Sequence, residues 1–236
     1  MFNGKMKALT FSYDDGVTQD IRLIELFNKY GMKGTFNLNS ARLGQPGDYI
    51  KNGKRILHNQ NKPEDIKYIY EGHEVAAHTL DHPRLTIIES DAEVTRQVEE
   101  DRLRLSELVG YEVVGLAYPC GGVNYDSRVS NLVRETTGIK YARSTISSFD
   151  FALQDNLYEF SPSVDQHNQF DEMVALGEKF LSLKTDEPAI FYVWAHSYEL
   201  DIRDDWGRFE EFLQMMSGKD DICFCTNSEA LLAGRY

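Results

Sequence analysis

Short β-prone runs alternate with helical stripes along this chain, and few folds accommodate that alternation. Ala189-Ile190-Phe191-Tyr192-Val193-Trp194 is the clearest run, free of charge and rich in β-branched and aromatic residues, as a buried strand is. Ala8-Leu9-Thr10-Phe11-Ser12-Tyr13 reads the same way. Further strands are expected at 34–39, 74–77, 113–118, 140–145, 157–160 and 222–226. Apolar spacing of three and four predicts helices at 19–30, 63–70, 91–109, 125–137, 170–183 and 206–216, with Thr18 as an N-cap and Gly31 and Gly110 as stops. About eight strands separated mostly by helices give an α/β protein, a parallel barrel that is incomplete or distorted. The 236 residues are expected to form one domain, a length such barrels reach undivided. Residues 42–61 carry Gly44, Pro46, Gly47 and Gly53 with little periodicity and are expected as a long loop, either a substrate-side flap or an insertion.

Charge narrows the partners. Lys and Arg total 25 against 38 Asp and Glu, a formal charge of -13, which argues against a nucleic-acid backbone or an anionic membrane. No apolar run approaches the roughly 18 residues of a membrane span. The start, Met1-Phe2-Asn3-Gly4-Lys5-Met6-Lys7, lacks the apolar core of a secretory leader, so the cytoplasm is the expected compartment. Three cysteines, an odd count, make no disulfide framework. Cys223-Phe224-Cys225 is expected to turn its two thiols to opposite faces of a strand, against a metal clip.

Chemistry gathers where strands end. Asp14 and Asp15 follow the first strand, and their side chains leave it in different directions, so the two carboxylates can take separate tasks. His78 follows the third strand and His82 comes four residues later, just before Pro83. A tight turn can converge the two imidazoles, and with a carboxylate from another strand they make a two-histidine, one-carboxylate metal site. His196 stands just past the last long apolar run.

Tyr13-Asp14-Asp15-Gly16, His78-Thr79-x-x-His82-Pro83-x-Leu85, Tyr118-Pro119-Cys120-Gly121 and the late strand ending in His196 occur in the order of the motifs of the polysaccharide deacetylase (NodB-homology) family of carbohydrate esterases, which this chain resembles. The resemblance implies a distorted parallel (β/α) barrel of seven or eight strands that hydrolyses N-acetyl groups with one divalent metal, zinc first and cobalt, iron or nickel as alternatives. By position it makes Asp15, His78 and His82 the metal ligands, Asp14 the general base, His196 the general acid and the backbone N–H of Cys120 a donor to the oxyanion. The substrate is then an N-acetylated sugar, an oligosaccharide or a small amide, with an amidase of cyclic nitrogenous metabolites or a catalytically silent carbohydrate-binding barrel as the alternatives.

The chain also departs from the family pattern. Ala117 stands where an arginine often pairs with the base, and Arg143, near the end of the fifth strand, is the candidate replacement. Cys120 takes the place of an aromatic residue and is expected as a buried structural thiol. His73 is expected to be a structural hydrogen-bonder, and His58, in the long loop, to be solvated. Asp165-Gln166-His167-Asn168 falls on the same rim as the site, and Trp194, Tyr198, Tyr13 and Tyr118 offer flat faces for sugar rings or simply fill the core. Asp201-Ile202-Arg203-Asp204-Asp205-Trp206 reads as the acidic approach to a helix.

Overall fold

A computed structural model describes residues 1–233. Its strands are β1 (Lys7–Asp14), β2 (Gly34–Leu38), β3 (Asp48–Lys51), β4 (Lys54–Leu57), β5 (Glu74–Ala77), β6 (Gly115–Ala117), β7 (Tyr141–Arg143), β8 (Val164–Asp165), β9 (Ala189–Ala195) and β10 (Ile222–Phe224). The helices are α1 (Gln19–Tyr30), α2 (Ile66–Ile69), α3 (Asp91–Val109), α4 (Ser127–Thr136), α5 (Phe170–Ser182), α6 (Glu199–Arg203), α7 (Trp206–Met216) and α8 (Asn227–Leu231). None of them is long and apolar enough to cross a membrane.

Eight strands form one curled parallel sheet in the order β7-β6-β5-β2-β1-β9-β8, with β10 added to β1. β1 is buried throughout and pairs along its whole length with β9. Its other edge is divided, with Lys7–Leu9 against β10 and Phe11–Asp14 against β2. The gap between β7 and β8 is spanned by the segment after Leu157, through a bridge from Arg143 to Phe160 and a bond from Ser163 N to Tyr192 O. The result is the distorted barrel expected from the sequence.

Alternation along each strand divides the core in two. Leu9, Phe11 and Tyr13 of β1, Phe36 and Leu38 of β2, and Phe191 and Val193 of β9 pack outward beneath α1, α5 and α7. A second cluster floors the barrel, where Ala8, Tyr141, Phe160, Ile190 and Tyr192 meet Ala230 and Leu231 of α8.

Four local readings need correction. The long loop contains an antiparallel hairpin, β3–β4, turned at Asn52 (φ 52°) and Gly53 (φ 75°). Asn-Gly is the signature of such a two-residue turn, because both positions require φ > 0. Residues 157–159 are a 3-10 turn, begun by the Asn156 side chain accepting from Tyr158 N, and the strand comes later, as β8. Thr18 precedes α1 but makes no side-chain cap; its backbone N–H donates to Asn59 O. Cys223 and Cys225, two residues apart, share a face and pack into one cluster at the bottom of the barrel.

Candidate active site

The same alternation carries polar residues to the mouth of the barrel. Thr10, Ser12 and Asp14 occupy the inward face of β1, where they bond Asn227, Asn37 and Arg143. His78 extends β5, Arg143 ends β7, and Trp194 and His196 lie at the end of β9. The chain then turns sharply: Asp15 (φ 82°), Thr79 (φ 68°), His82 (φ 64°) and Cys120 (φ 68°) all adopt the left-handed region. Each such non-glycine residue is strained, and strain of this kind collects where a site must hold its side chains in place. Here the turn 78–82 is tied down by Asn39 Nδ2, which donates to His78 O and Thr79 O, and by Asp101, which accepts from His78 N.

Asp15, His78 and His82 offer ligand atoms that all lie within 4.8 Å of one another. His78 Nε2 is 3.9 Å and His82 Nε2 3.8 Å from Asp15 Oδ1. A cation bonded at about 2 Å to each donor needs them about 3–4 Å apart, so the spacing fits. Hydrogen bonding fits as well. His78 Nδ1 lies 2.7 Å from Ala117 O and therefore carries the ring proton, which leaves Nε2 as a lone pair. His78 Nε2 and Asp15 Oδ1 are both buried without a hydrogen-bond partner, a costly state for any polar atom that meets nothing else. Burial, the largest influence, lowers the pKa of His78 to about 4, so it is neutral near pH 7, as a ligand must be. Burial opposes charge on Asp15 too, yet the hydrogen bond from His58 and the nearby histidines hold it well below the usual carboxylate range.

Asp14 and His196 flank this triad. Arg143, fully buried, reaches both oxygens of Asp14 from one guanidinium nitrogen, at 2.5 and 2.6 Å, and stacks on Trp194. Asn37 Nδ2 adds a bond to Asp14 Oδ1 at 2.8 Å. Burial alone would raise the Asp14 carboxyl, but Arg143, then His78 and His196, hold it below its ordinary range. On the other side His196 Nδ1 sits 3.2 Å from Glu199 Oε2, while its Nε2 is 4.0 Å from Asp15 Oδ2. Burial opposes the imidazolium, yet Glu199, with Asp15 and Asp14 behind it, lifts the pKa of His196 to about 10. A carboxylate and a charged imidazole thus face each other across the triad. The cavity between them holds about 300 Å³ and is walled by Tyr118, Trp194 and Tyr198, with Asp165 and Asn168 on its rim.

Comparison with known proteins gives this arrangement a place. The profile of the polysaccharide deacetylase family matches residues 2–142, more than half of the chain. The chain belongs to the polysaccharide deacetylase family. No curated protein matches it by sequence. Among solved structures, a Mycobacterium smegmatis protein assigned provisionally to the polysaccharide deacetylases superposes over 98% of this chain and 91% of its own, with a TM-score of 0.69 at 17% identity. The D285S mutant of the Bacillus subtilis peptidoglycan deacetylase PdaC aligns with 95% of this chain and 90% of its own, with a TM-score of 0.57 at 17% identity. The Streptococcus pyogenes deacetylase PplD, solved with acetate, aligns with 64% of this chain at a TM-score of 0.52 and 17% identity, and the chain spans 61% of that protein.

Within this member of the family, several positions depart from expectation. Cys120 is half-buried rather than buried; it lines the cavity with Sγ 3.8 Å from His82 Nδ1, and burial pushes its thiol pKa up. Tyr13 is core, on the outward face of β1, with its hydroxyl bonded to Gln166. His73 is structural as expected: Nδ1 accepts from Gly34 N–H and Nε2 meets Asn28 Oδ1. His58 is not solvated. It is half-buried with Nε2 3.1 Å from Asp15 Oδ2, delivered by the β3–β4 hairpin. Glu199, one turn past His196, also went unnoticed, although a carboxylate three residues after a histidine in a helical turn is a readable pattern.

Proposed function

We propose that this chain is a metal-dependent N-deacetylase that releases acetate from an N-acetylated sugar, oligosaccharide or related small amide. The observation that carries the reading is the pair of buried, partnerless ligand atoms, Asp15 Oδ1 and His78 Nε2, converging with His82. These three residues would hold a divalent cation, zinc first, which supplies Lewis acidity to an amide carbonyl and lowers the pKa of water.

The remaining work falls to the protein's own groups. Asp14, kept ionised and oriented by Arg143, takes a proton from the attacking water as general base. An amine leaves poorly as an anion, so it needs a proton. His196, kept charged by Glu199 on Nδ1, has Nε2–H free to donate it. The backbone N–H of Cys120, in its left-handed turn, is the proposed donor to the developing oxyanion. Trp194 and Tyr198 give the acetylated ring apolar walls.

The test is acetate release. Protein stripped by a chelator and reloaded in turn with zinc, cobalt, nickel or iron is assayed on N-acetylated chito-oligosaccharides, with ureides and imides in parallel. The expected result is loss of acetate release on stripping and recovery on reloading. Release of ammonia from ureides alone, or no turnover by any loaded form, overturns the reading.

A further inference from the structure

We infer that His58, carried by the β3–β4 hairpin, is a positioning residue of the metal centre: it grips Asp15 Oδ2 and so dedicates Oδ1 to the cation. The inference rests on the metal site proposed above and concerns a residue outside its ligand set.

Three observations carry it. First, the two oxygens of Asp15 are in different states. Oδ2 faces His58 Nε2 at 3.1 Å, whereas Oδ1 is the buried atom without a partner. Gln60 Nε2 lies 3.5 Å from His58 Nδ1, on the side of a donor, which leaves Nε2 to carry the proton toward Asp15. A carboxylate held through one oxygen by an N–H donor presents the other in a fixed direction, which is what an outer hydrogen bond does for a metal ligand.

Second, the segment bearing His58 is stitched to the turn that bears Asp15. Asn61 N donates to Gly16 O at 2.9 Å, Thr18 N donates to Asn59 O at 2.9 Å, and Val17 bridges Gln60. The hairpin is clamped from the far side too, by Lys54 Nζ on Asp201 O at 2.6 Å and by Gln19 Nε2 on Leu57 O at 2.8 Å. At its base His58 N donates to Gly47 O, and a Cβ on Gly47 would stand 2.8 Å from His58 O, so only glycine lets the two arms close.

Third, the His58 ring is fixed by neighbours belonging to the site. It packs edge-on against Tyr198 at 4.8 Å between centroids, and Tyr198 in turn lies 5.1 Å from the ring of His196. Tyr49, from β3, closes the group at 5.8 Å from Tyr198. The hairpin therefore reaches the metal ligand and the neighbourhood of the general acid through one packed set of rings.

The experiment measures zinc affinity by competition with a chromophoric chelator for the parent, His58→Ala and His58→Gln, alongside the visible spectrum of each form loaded with cobalt. Gln places an amide N–H near the position of Nε2. His58→Ala is expected to bind zinc about 10–100-fold more weakly, the usual effect of deleting a partner behind a metal ligand, and His58→Gln to recover most of that loss. The cobalt spectrum of His58→Gln is expected to match the parent. Parent-like zinc affinity in His58→Ala overturns the inference, as does a cobalt spectrum of His58→Gln that shows a lost nitrogen ligand, which would make His58 a ligand itself. A parent that takes up no zinc overturns the metal site as well, a failure distinguishable from the other two.

Discussion

The floor and the mouth of this barrel are lined by the same inward-facing strand positions, yet they treat polar atoms in opposite ways. On the floor the buried side-chain polar groups of the described residues are paired. Asn227 accepts from Thr10, donates to Tyr192 and donates through its backbone to Thr35, while Glu74 accepts from Thr35, Tyr141 and Ser228 N. At the mouth, Asp15 Oδ1 and His78 Nε2 are buried with nothing to bond. A satisfied network rigidifies, and a half-satisfied one costs stability unless something else occupies it. The difference separates architecture from chemistry within one set of strands.

The contrast can be broken most forcefully at Asp14. Asp14→Asn is expected to lower turnover about 10²–10⁴-fold, the range of a general base, while zinc affinity by chelator competition stays near that of the parent. Undiminished acetate release would take catalysis away from the mouth as drawn here. Next in size is Arg143→Ala. It leaves a buried carboxylate without its guanidinium, so urea melts should show a loss of about 3–5 kcal/mol together with reduced turnover. Unchanged turnover in the folded variant would reduce Arg143 to scaffolding.

Substitution on the floor should behave differently. Asn227→Ala strands partners on Thr10 and Tyr192 and is expected to cost about 1–3 kcal/mol in urea melts without altering zinc affinity. A floor variant that weakened metal binding tenfold would dissolve the distinction. The smallest effect belongs to His73, which lies outside the barrel with both nitrogens engaged. Burial, aided by Lys33, lowers its pKa from 6.5 to about 4. Because the folded value lies below the unfolded one, its contribution is full above pH 6.5 and is lost as pH falls from 6.5 through 4. Screening of the charged ring by nearby solvent keeps that loss to about 1–2 kcal/mol, and melts of His73→Gln should show a flatter dependence than the parent over this interval.

Much of this was legible in the sequence because it rests on local pattern. α3 and α7 take the limits their periodicity predicts, and β1, β5 and β9 end at or just before Asp14, His78 and His196. Asp14, Asp15, His78, His82 and His196 converge because each ends or follows a strand of one parallel sheet, and parallel strands all end on the same side. Arg143, expected only as a stand-in for the arginine missing at Ala117, ends β7 at the far edge of the sheet and reaches Asp14. His58 was not, because no strand of the barrel delivers it; its place depends on a hairpin folding back over the turn 16–18, which periodicity does not encode. Asn52-Gly53 was the available signal, and reading it as a turn would have turned the loop into two strands. β8 was misplaced for a related reason: two residues of strand leave no period to read.

The divided edge of β1 has a consequence for synthesis. β10 and α8 come last among the described elements, yet they complete the edge of the first strand and fill the bottom of the barrel with Ala230 and Leu231. A nascent chain that has emerged only as far as β9 would carry β1 half-paired and its lower interior open to water. Such contacts, more than two hundred residues apart in the bond from Thr10 to Asn227, delay closure of the barrel until β10 and α8 have emerged and make the growing chain a natural client of chaperones until then.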